Sequence, residues 1–452
     1  MNSDQLREVD SHLVWHPFTA MQAHAREQPP IIASAEGFEV IDLEGRRYLD
    51  GTSSLWCNVH GHRVPAIDQA IRQQLDRVAH STLLGLGNVP SIEFARRLVD
   101  VTPAGLNHVF YSDDGSTAVE AALKIALQYY RQRPHGREQR SLYVSLDGAY
   151  HGDTIGAVSV GGIDLFHGIY GELLFRKVTV PSPSPRFAAP NVSTEDHLAQ
   201  SLVELERVLR QHRHEIAAFL IEPRVQAAAG ILVHPPGYLR RLRELTWELD
   251  ILLIADEVAT GFGRTGTMWA CDQEAVSPDL MCLSKGITGG YLPLAATLTT
   301  TPVYEAFLGE PTEGKTFFHG HTFTGNPLAC AAGLASLELL ETNRVLENVN
   351  RLSLRLARRL AALADHPHVL DIRRCGLMVG IELVQDRDSR TPFPPERRLG
   401  HQVTLAARRR GVIIRPLGDV VVLMPAPAMP EALLERLCDA TFEAIDEAIA
   451  AG

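Results

Sequence analysis

The 452-residue sequence predicts an α/β protein: a large domain around a mostly parallel central sheet, with a smaller α+β domain built from the N- and C-terminal segments. Three observations carry that reading. Short apolar runs of strand length alternate with helical periodicity over most of the chain. The central runs end abruptly in polar residues or glycines, the position at which ligands sit in open α/β sheets. From about Pro327 an alanine- and leucine-rich helical stretch leads away from the core, and the runs beyond it look like strands of a smaller α+β unit.

In chain order, a polar opening leads to residues 38–49, which predict a hairpin turned at Gly45. A helix is predicted over 66–78, with Ile67, Ala70, Ile71, Leu75 and Val78 on one face. Strands follow at 108–111, 142–146, 217–221, 251–255 and 280–283, and the proline-rich 181–185 reads as an extended surface connection. Later strands are predicted at 377–383, 412–414 and 420–424, closed by a helix over 430–450. The expected division is an N-terminal segment 1–65, a large domain 66–330 and a C-terminal unit 331–452, the first and last forming the smaller domain together.

Lys plus Arg number 43 against 54 Asp plus Glu, a formal charge of -11, with no basic run. Nucleic acid or an anionic membrane would call for clustered Lys and Arg, so the expected partner is a small molecule. Six scattered cysteines without Cys-x-x-Cys spacing read as core thiols of a reducing compartment. No apolar stretch approaches the roughly 18 residues of a membrane helix. The expectation is a cytoplasmic enzyme or binding protein.

Three segments carry chemistry. In Tyr111-Ser-Asp-Asp-Gly115-Ser116-Thr117 a strand runs into a small-residue turn and a strong helix former, leaving N–H groups that either a phosphate or a capping side chain satisfies. Neither a dinucleotide fingerprint nor a P-loop is present. The buried-strand run before Asp256-Glu257 ends in two carboxylates, and a buried carboxylate needs a partner. No histidine follows at ligand spacing and no metal site is expected, whereas a protonated heterocyclic nitrogen would serve. Lys285 ends another apolar strand, with glycines behind it; an apolar setting lowers a lysine's pKa and frees its amine for Schiff-base chemistry. Phosphate anchor, ring-nitrogen partner and aldehyde tether are together what pyridoxal 5'-phosphate requires. Tyr150, flanked by glycines in Gly148-Ala-Tyr150-His151-Gly152-Asp153, would stack on its ring.

With those residues in place, Asp256-Glu-Val-Ala-Thr-Gly-Phe-Gly-Arg264, Ser284-Lys285-Gly and His319-Gly-His-Thr322-Phe-Thr-Gly-Asn-Pro make the chain resemble the class III pyridoxal-phosphate aminotransferases of fold type I over almost its whole length. His16-Pro17, Gly51-Thr-Ser-Ser-Leu-Trp56, Tyr150-His-Gly-Asp153 and Ile413-Ile-Arg415-Pro resemble most closely the members that convert 8-amino-7-oxononanoate to 7,8-diaminononanoate in biotin biosynthesis. The resemblance implies that Lys285 tethers the cofactor and carries the proton, that Asp256 pairs with the ring nitrogen and that Tyr150 stacks on the ring. It implies phosphate binding by Gly115 and Ser116, with His321 and Thr322 completing the site from the neighbouring subunit of a homodimer. Substrate contacts are implied at Phe18, Leu55, Trp56, Tyr150, Gly320 and Arg415, whose guanidinium fork matches a substrate carboxylate.

The resemblance leaves the amino donor open between S-adenosylmethionine and L-lysine. Members using S-adenosylmethionine usually carry Trp-Trp at Leu55-Trp56, Tyr at Phe18, Pro at His321 and Tyr near Val422; Asn58-Val-His-Gly-His62 and Arg415-Pro-Leu-Gly-Asp419 look like the lysine-using branch. A general ω-amino-acid or diamine:pyruvate transaminase is the alternative. Arg264 either shapes the donor pocket or braces its loop. His212-Arg-His214-Glu215 lacks the H-E-x-x-H pattern and reads as a solvated turn.

Overall fold

The computed structural model describes residues 1–133 and 140–451. Its centre is a seven-stranded sheet in the order Leu106–Ser112, Ala295–Thr300, Leu280–Leu283, Leu252–Asp256, Ile216–Ile221, Leu142–Leu146, Lys177–Val180. All neighbours run parallel except Ala295–Thr300, which is antiparallel to both of its partners. The connection explains the reversal. Residues 284–294 are too few for the crossover that a parallel strand needs, so the chain turns back beside the strand it has just left.

The five central strands expected from the sequence are present, with ends shifted by no more than two residues. Lys177–Val180, Ala295–Thr300 and Val369–Cys375 were not foreseen. Apart from Leu298, Ala295–Thr300 is made of alanines and threonines, so it lacks the bulky apolar run that marks a buried strand.

Helix Gly115–Gln132 lies on one face of the sheet and buries Ala118, Val119, Ala122 and Ala126 completely. Its small side chains let the helix sit close to the strands that carry the site. Helices Thr194–Gln211 and Tyr238–Glu248 contribute Leu205, Leu209, Leu239 and Leu242 to the larger core cluster.

The hairpin Glu39–Asp42 and Arg47–Asp50 is antiparallel, and Gly45 adopts the positive φ of +78° that its turn requires. Val412–Ile413 pairs parallel with Arg47–Asp50, so chain ends far apart in sequence share one sheet. This alters the expected placement of 412–414. Only Val420–Leu423 and Met378–Leu383 join the C-terminal antiparallel sheet, beside Val369–Cys375 and Arg415–Leu417.

The helix predicted over 66–78 spans Pro65–Leu75, and its expected apolar face is corrected. Ile67 is fully buried, but Leu75 is 57% and Val78 39% exposed. Gln74 takes the inward position and donates from Nε2 to the carbonyl of Val78 at 2.9 Å. The long helical stretch divides into Pro327–Thr342 and Val345–Leu360, broken where Arg344 takes a φ of +51°. No helix among the described residues is long and apolar enough to cross a membrane.

Candidate active site

The carboxyl ends of the central strands open onto a cavity of about 530 Å³, lined among others by Asp113, Gly115, Ser116, Tyr150, Asp256 and Lys285. On its first wall, helix Gly115–Gln132 begins with a capping box. Asp114 Oδ1 accepts from Thr117 N at 3.0 Å, and Thr117 Oγ1 accepts from Asp114 N at 3.1 Å. The helix geometry leaves the N–H groups between those two without intrahelical partners. Gly152 has a φ of +122°, and a Cβ there would stand 2.1 Å from Ser116 Oγ. A side chain at 152 would therefore fill the space over the helix start. The same loop is pinned by Asp153 N, which donates to Ser116 Oγ at 3.1 Å.

Asp256 ends strand Leu252–Asp256 and is buried. Its Oδ2 lies 2.7 Å from His151 Nδ1, and its Oδ1 accepts from Val258 N at 3.1 Å. An imidazole and a backbone N–H thus fix both carboxylate oxygens and orient the group. Sequence reasoning passed over His151. The available signal was the buried Asp256 itself, which required a partner, and a histidine between glycines in a loop already assigned to the site.

Lys285 follows strand Leu280–Leu283 with a left-handed φ of +48° and keeps some solvent access through the cavity. Burial lowers its pKa, and the negative charge of Asp256 works against that shift. Its Nζ stands 5.7 Å from the centroid of the Trp56 ring.

Tyr150 donates from its hydroxyl to Asp153 Oδ2 at 2.6 Å, and burial followed by that bond raises its pKa, so the phenol stays protonated. Its backbone N–H donates to Glu222 Oε2 at 3.2 Å. Glu222 directly follows strand Ile216–Ile221, lines the cavity and is buried. Burial, reinforced by the charge of Asp256, pushes its carboxyl up to about 8. It too was missed, although a carboxylate at a buried strand end is the pattern that identified Asp256.

Leu55 and Trp56 line the cavity from a segment in which Ser53, Ser54, Leu55 and Trp56 all have positive φ. Such backbone persists only when its surroundings over-determine it. Asp50 accepts from Ser54 N at 3.0 Å and from Ser54 Oγ at 2.7 Å, and Ser53 Oγ donates to the carbonyl of Met424 at 2.6 Å. Arg264 completes the clamp. Buried and outside the cavity lining, it donates to the carbonyls of Pro425 (2.7 Å) and Asn58 (2.8 Å) and to Ser53 Oγ (3.2 Å). Of the two roles open for it, the contacts are those of a brace.

The remaining candidates are not gathered at the cavity. Phe18 is exposed and meets Phe166 edge-on at 5.3 Å, and Phe166 in turn lies 6.2 Å from Tyr150. His321 Nδ1 is 3.5 Å from Asp113 Oδ2, while Gly320 and Thr322 stand outside the lining and Thr322 is exposed. Arg415 is exposed on Arg415–Leu417, also outside the lining. His212 pairs with Glu215 at 3.0 Å in a turn, as expected of a solvated segment.

The profile of the class-III aminotransferases matches residues 21–448. The adenosylmethionine-8-amino-7-oxononanoate aminotransferase of Nitratidesulfovibrio vulgaris is 59% identical over 433 residues, covering 96% of this chain and 80% of that one. The crystal structure of the protein of that name from Methanocaldococcus jannaschii superposes with a TM-score of 0.93 at 43% identity, covering 99% of both chains. An (S)-enantioselective ω-transaminase from Thermomicrobium roseum gives a TM-score of 0.94 at 34% identity, again over 99% of each chain.

Proposed function

The chain belongs to the class-III aminotransferases, and from that premise we propose that it converts 8-amino-7-oxononanoate to 7,8-diaminononanoate, with S-adenosylmethionine or L-lysine as amino donor. The carrying observation is the convergence of Asp256, Lys285 and the start of helix Gly115–Gln132 on one cavity, in a chain 59% identical to a relative named for that keto substrate. Pyridoxal phosphate is the cofactor of the class and, when bound, supplies the electron sink of the reaction.

The residues present fit that group. The free N–H groups at Gly115 and Ser116 suit its phosphate, and Gly152 leaves the space open. Asp256, oriented by His151, is the acceptor for a protonated ring nitrogen, and Tyr150 offers a flat face. Lys285, whose pKa burial lowers, would tether the aldehyde; once the donor's amine had displaced it, its Nζ would be free to take a proton from the amine-bearing carbon of the donor and to deliver one to the keto carbon of the acceptor.

Leu55 and Trp56 wall the substrate space, and Arg415 with Phe18 and Gly320 forms its outer end. His321 and Thr322 of a second copy complete the site in a homodimer. The exposed apolar residues Leu84, Leu86, Val89 and Ile92, close together in the chain, and Phe323 support that assembly, since exposed apolar residues that cluster mark an interaction site. The segments 1–65 and 331–452 form one small domain beside 66–330, a division supported by the pairing of Arg47–Asp50 with Val412–Ile413. The cysteines are all free, which fits a cytoplasmic enzyme.

A general ω-transaminase remains the second reading, favoured by the TM-score of 0.94 to the Thermomicrobium roseum enzyme. Mixing the cofactor-loaded protein with S-adenosylmethionine and with L-lysine, separately, decides the matter. Loss of the cofactor's visible absorbance identifies the donor, and rescue of a biotin-requiring strain separates the two readings. No response to either donor together with no rescue overturns the biotin assignment.

A further inference from the structure

Away from the cavity, the N-terminal segment brings together one carboxylate and two imidazoles. Asp10 lies in the last turn of helix Ser3–Leu13, His16 in the connection that follows, and His24 in helix Met21–Glu27. His16 Nε2 is 3.0 Å from Asp10 Oδ1, and His24 Nε2 is 3.0 Å from Asp10 Oδ2. The two rings stand 4.1 Å apart, centroid to centroid, and the three donor atoms all lie within 4.8 Å of one another.

We propose that Asp10, His16 and His24 bind a divalent transition-metal ion of the zinc class. Two imidazoles and a carboxylate are a donor set that zinc accepts, with water filling the open position. Ligands at the usual zinc distances in a tetrahedron stand roughly 3.3 Å apart; the two imidazoles meet different oxygens of Asp10, and the three donor atoms, all within 4.8 Å of one another, come to that spacing by side-chain adjustments of up to about 1.5 Å. The site is also partly enclosed: the His24 side chain retains 10% of its exposure. The adjoining cavity is lined by Asp4, Glu8 and Asp10 against the single cation Arg7, which pairs with Glu44, so the lining favours a cation there. The spacing, with five residues between Asp10 and His16 and seven between His16 and His24, matches no short metal motif, so only the folded segment reveals the set.

A bound ion would replace two N–H donors to Asp10 and cross-link a helix, a turn and a second helix. The competing role for these residues is a plain hydrogen-bond hub, and glutamine separates the two, because its amide still donates to Asp10 but is a poor zinc ligand. The test is titration calorimetry of zinc chloride into the cofactor-loaded protein in metal-free buffer. The expected result is one ion per chain, an affinity reduced by about 100-fold or more in His16→Gln/His24→Gln, and a melting temperature raised by zinc in the parent only. If the double variant does not fold, His24→Gln alone carries the comparison. Absence of saturable binding by the parent, or equal binding by the glutamine variant, overturns the proposal; with 19 histidines in the chain, equal binding would place zinc elsewhere.

Discussion

Arg264 serves three acceptors from the protein interior, and removing it strands two of them as buried carbonyls. Arg264→Ala is expected to cost about 3 kcal/mol in chemical denaturation, each unsatisfied group contributing about 1 to 3 kcal/mol. Arg264→Lys should recover only part of this, since an ammonium cannot reproduce the fork. Lys285→Ala should abolish transamination while leaving the fold intact, checked by a cofactor absorbance that no longer falls when donor is added and by an unchanged melting temperature in the cofactor-free protein. Glu222 makes a pH prediction. Its carboxyl keeps a proton up to about pH 8 when folded and loses it near 4.5 when unfolded, so between those values the folded chain binds more protons and stability falls as pH rises. In the cofactor-free protein, Glu222→Gln should flatten that decline by up to about 1.4 kcal/mol per pH unit, measured by denaturation at a series of pH values.

The helix start at Asp114 was legible because capping and phosphate binding use the same small polar residues ahead of a strong helix former. Asp114→Ala should destabilise the protein by about 1 kcal/mol and weaken cofactor retention, measured by dialysis against cofactor-free buffer. The strand ends at Asp256 and Lys285 were legible for a related reason: an apolar run that stops at a charge is rare unless the charge has work to do. Other elements were hidden by their composition. Strand Ala295–Thr300 carries Leu298 as its one large apolar residue among alanines and threonines, too little to mark a buried strand although five of its six residues are buried between its two partner strands. Helix Pro65–Leu75 misled in the opposite sense. Its amphipathic pattern is real, yet Leu75 stays exposed while Gln74 turns inward, because Gln74 Nε2 caps the carbonyl of Val78 beyond the helix end.

Over the whole molecule, the exposed residues Leu84, Leu86, Val89 and Ile92 are expected to be covered in solution by a second chain. Sedimentation should show a dimer, and Leu84→Glu/Ile92→Glu should shift it to monomer and release cofactor, as expected if Thr322 serves the neighbouring site. The sequence by itself determined the α/β class and the places of the five central strands, and it named Lys285, Asp256 and Tyr150 as the candidates that the structure brings to one cavity, because periodicity and the cost of burying charge are local properties of the chain. Tertiary structure alone decided that His151 and a backbone N–H orient Asp256, that Glu222 joins the cavity, that Arg264 braces the strained Ser53–Trp56 segment and that Arg47–Asp50 pairs with Val412–Ile413. Apart from the local bond from Val258 N to Asp256, those contacts join residues far apart in the chain, where no local pattern records a distance and only the packing of the whole molecule fixes the partner.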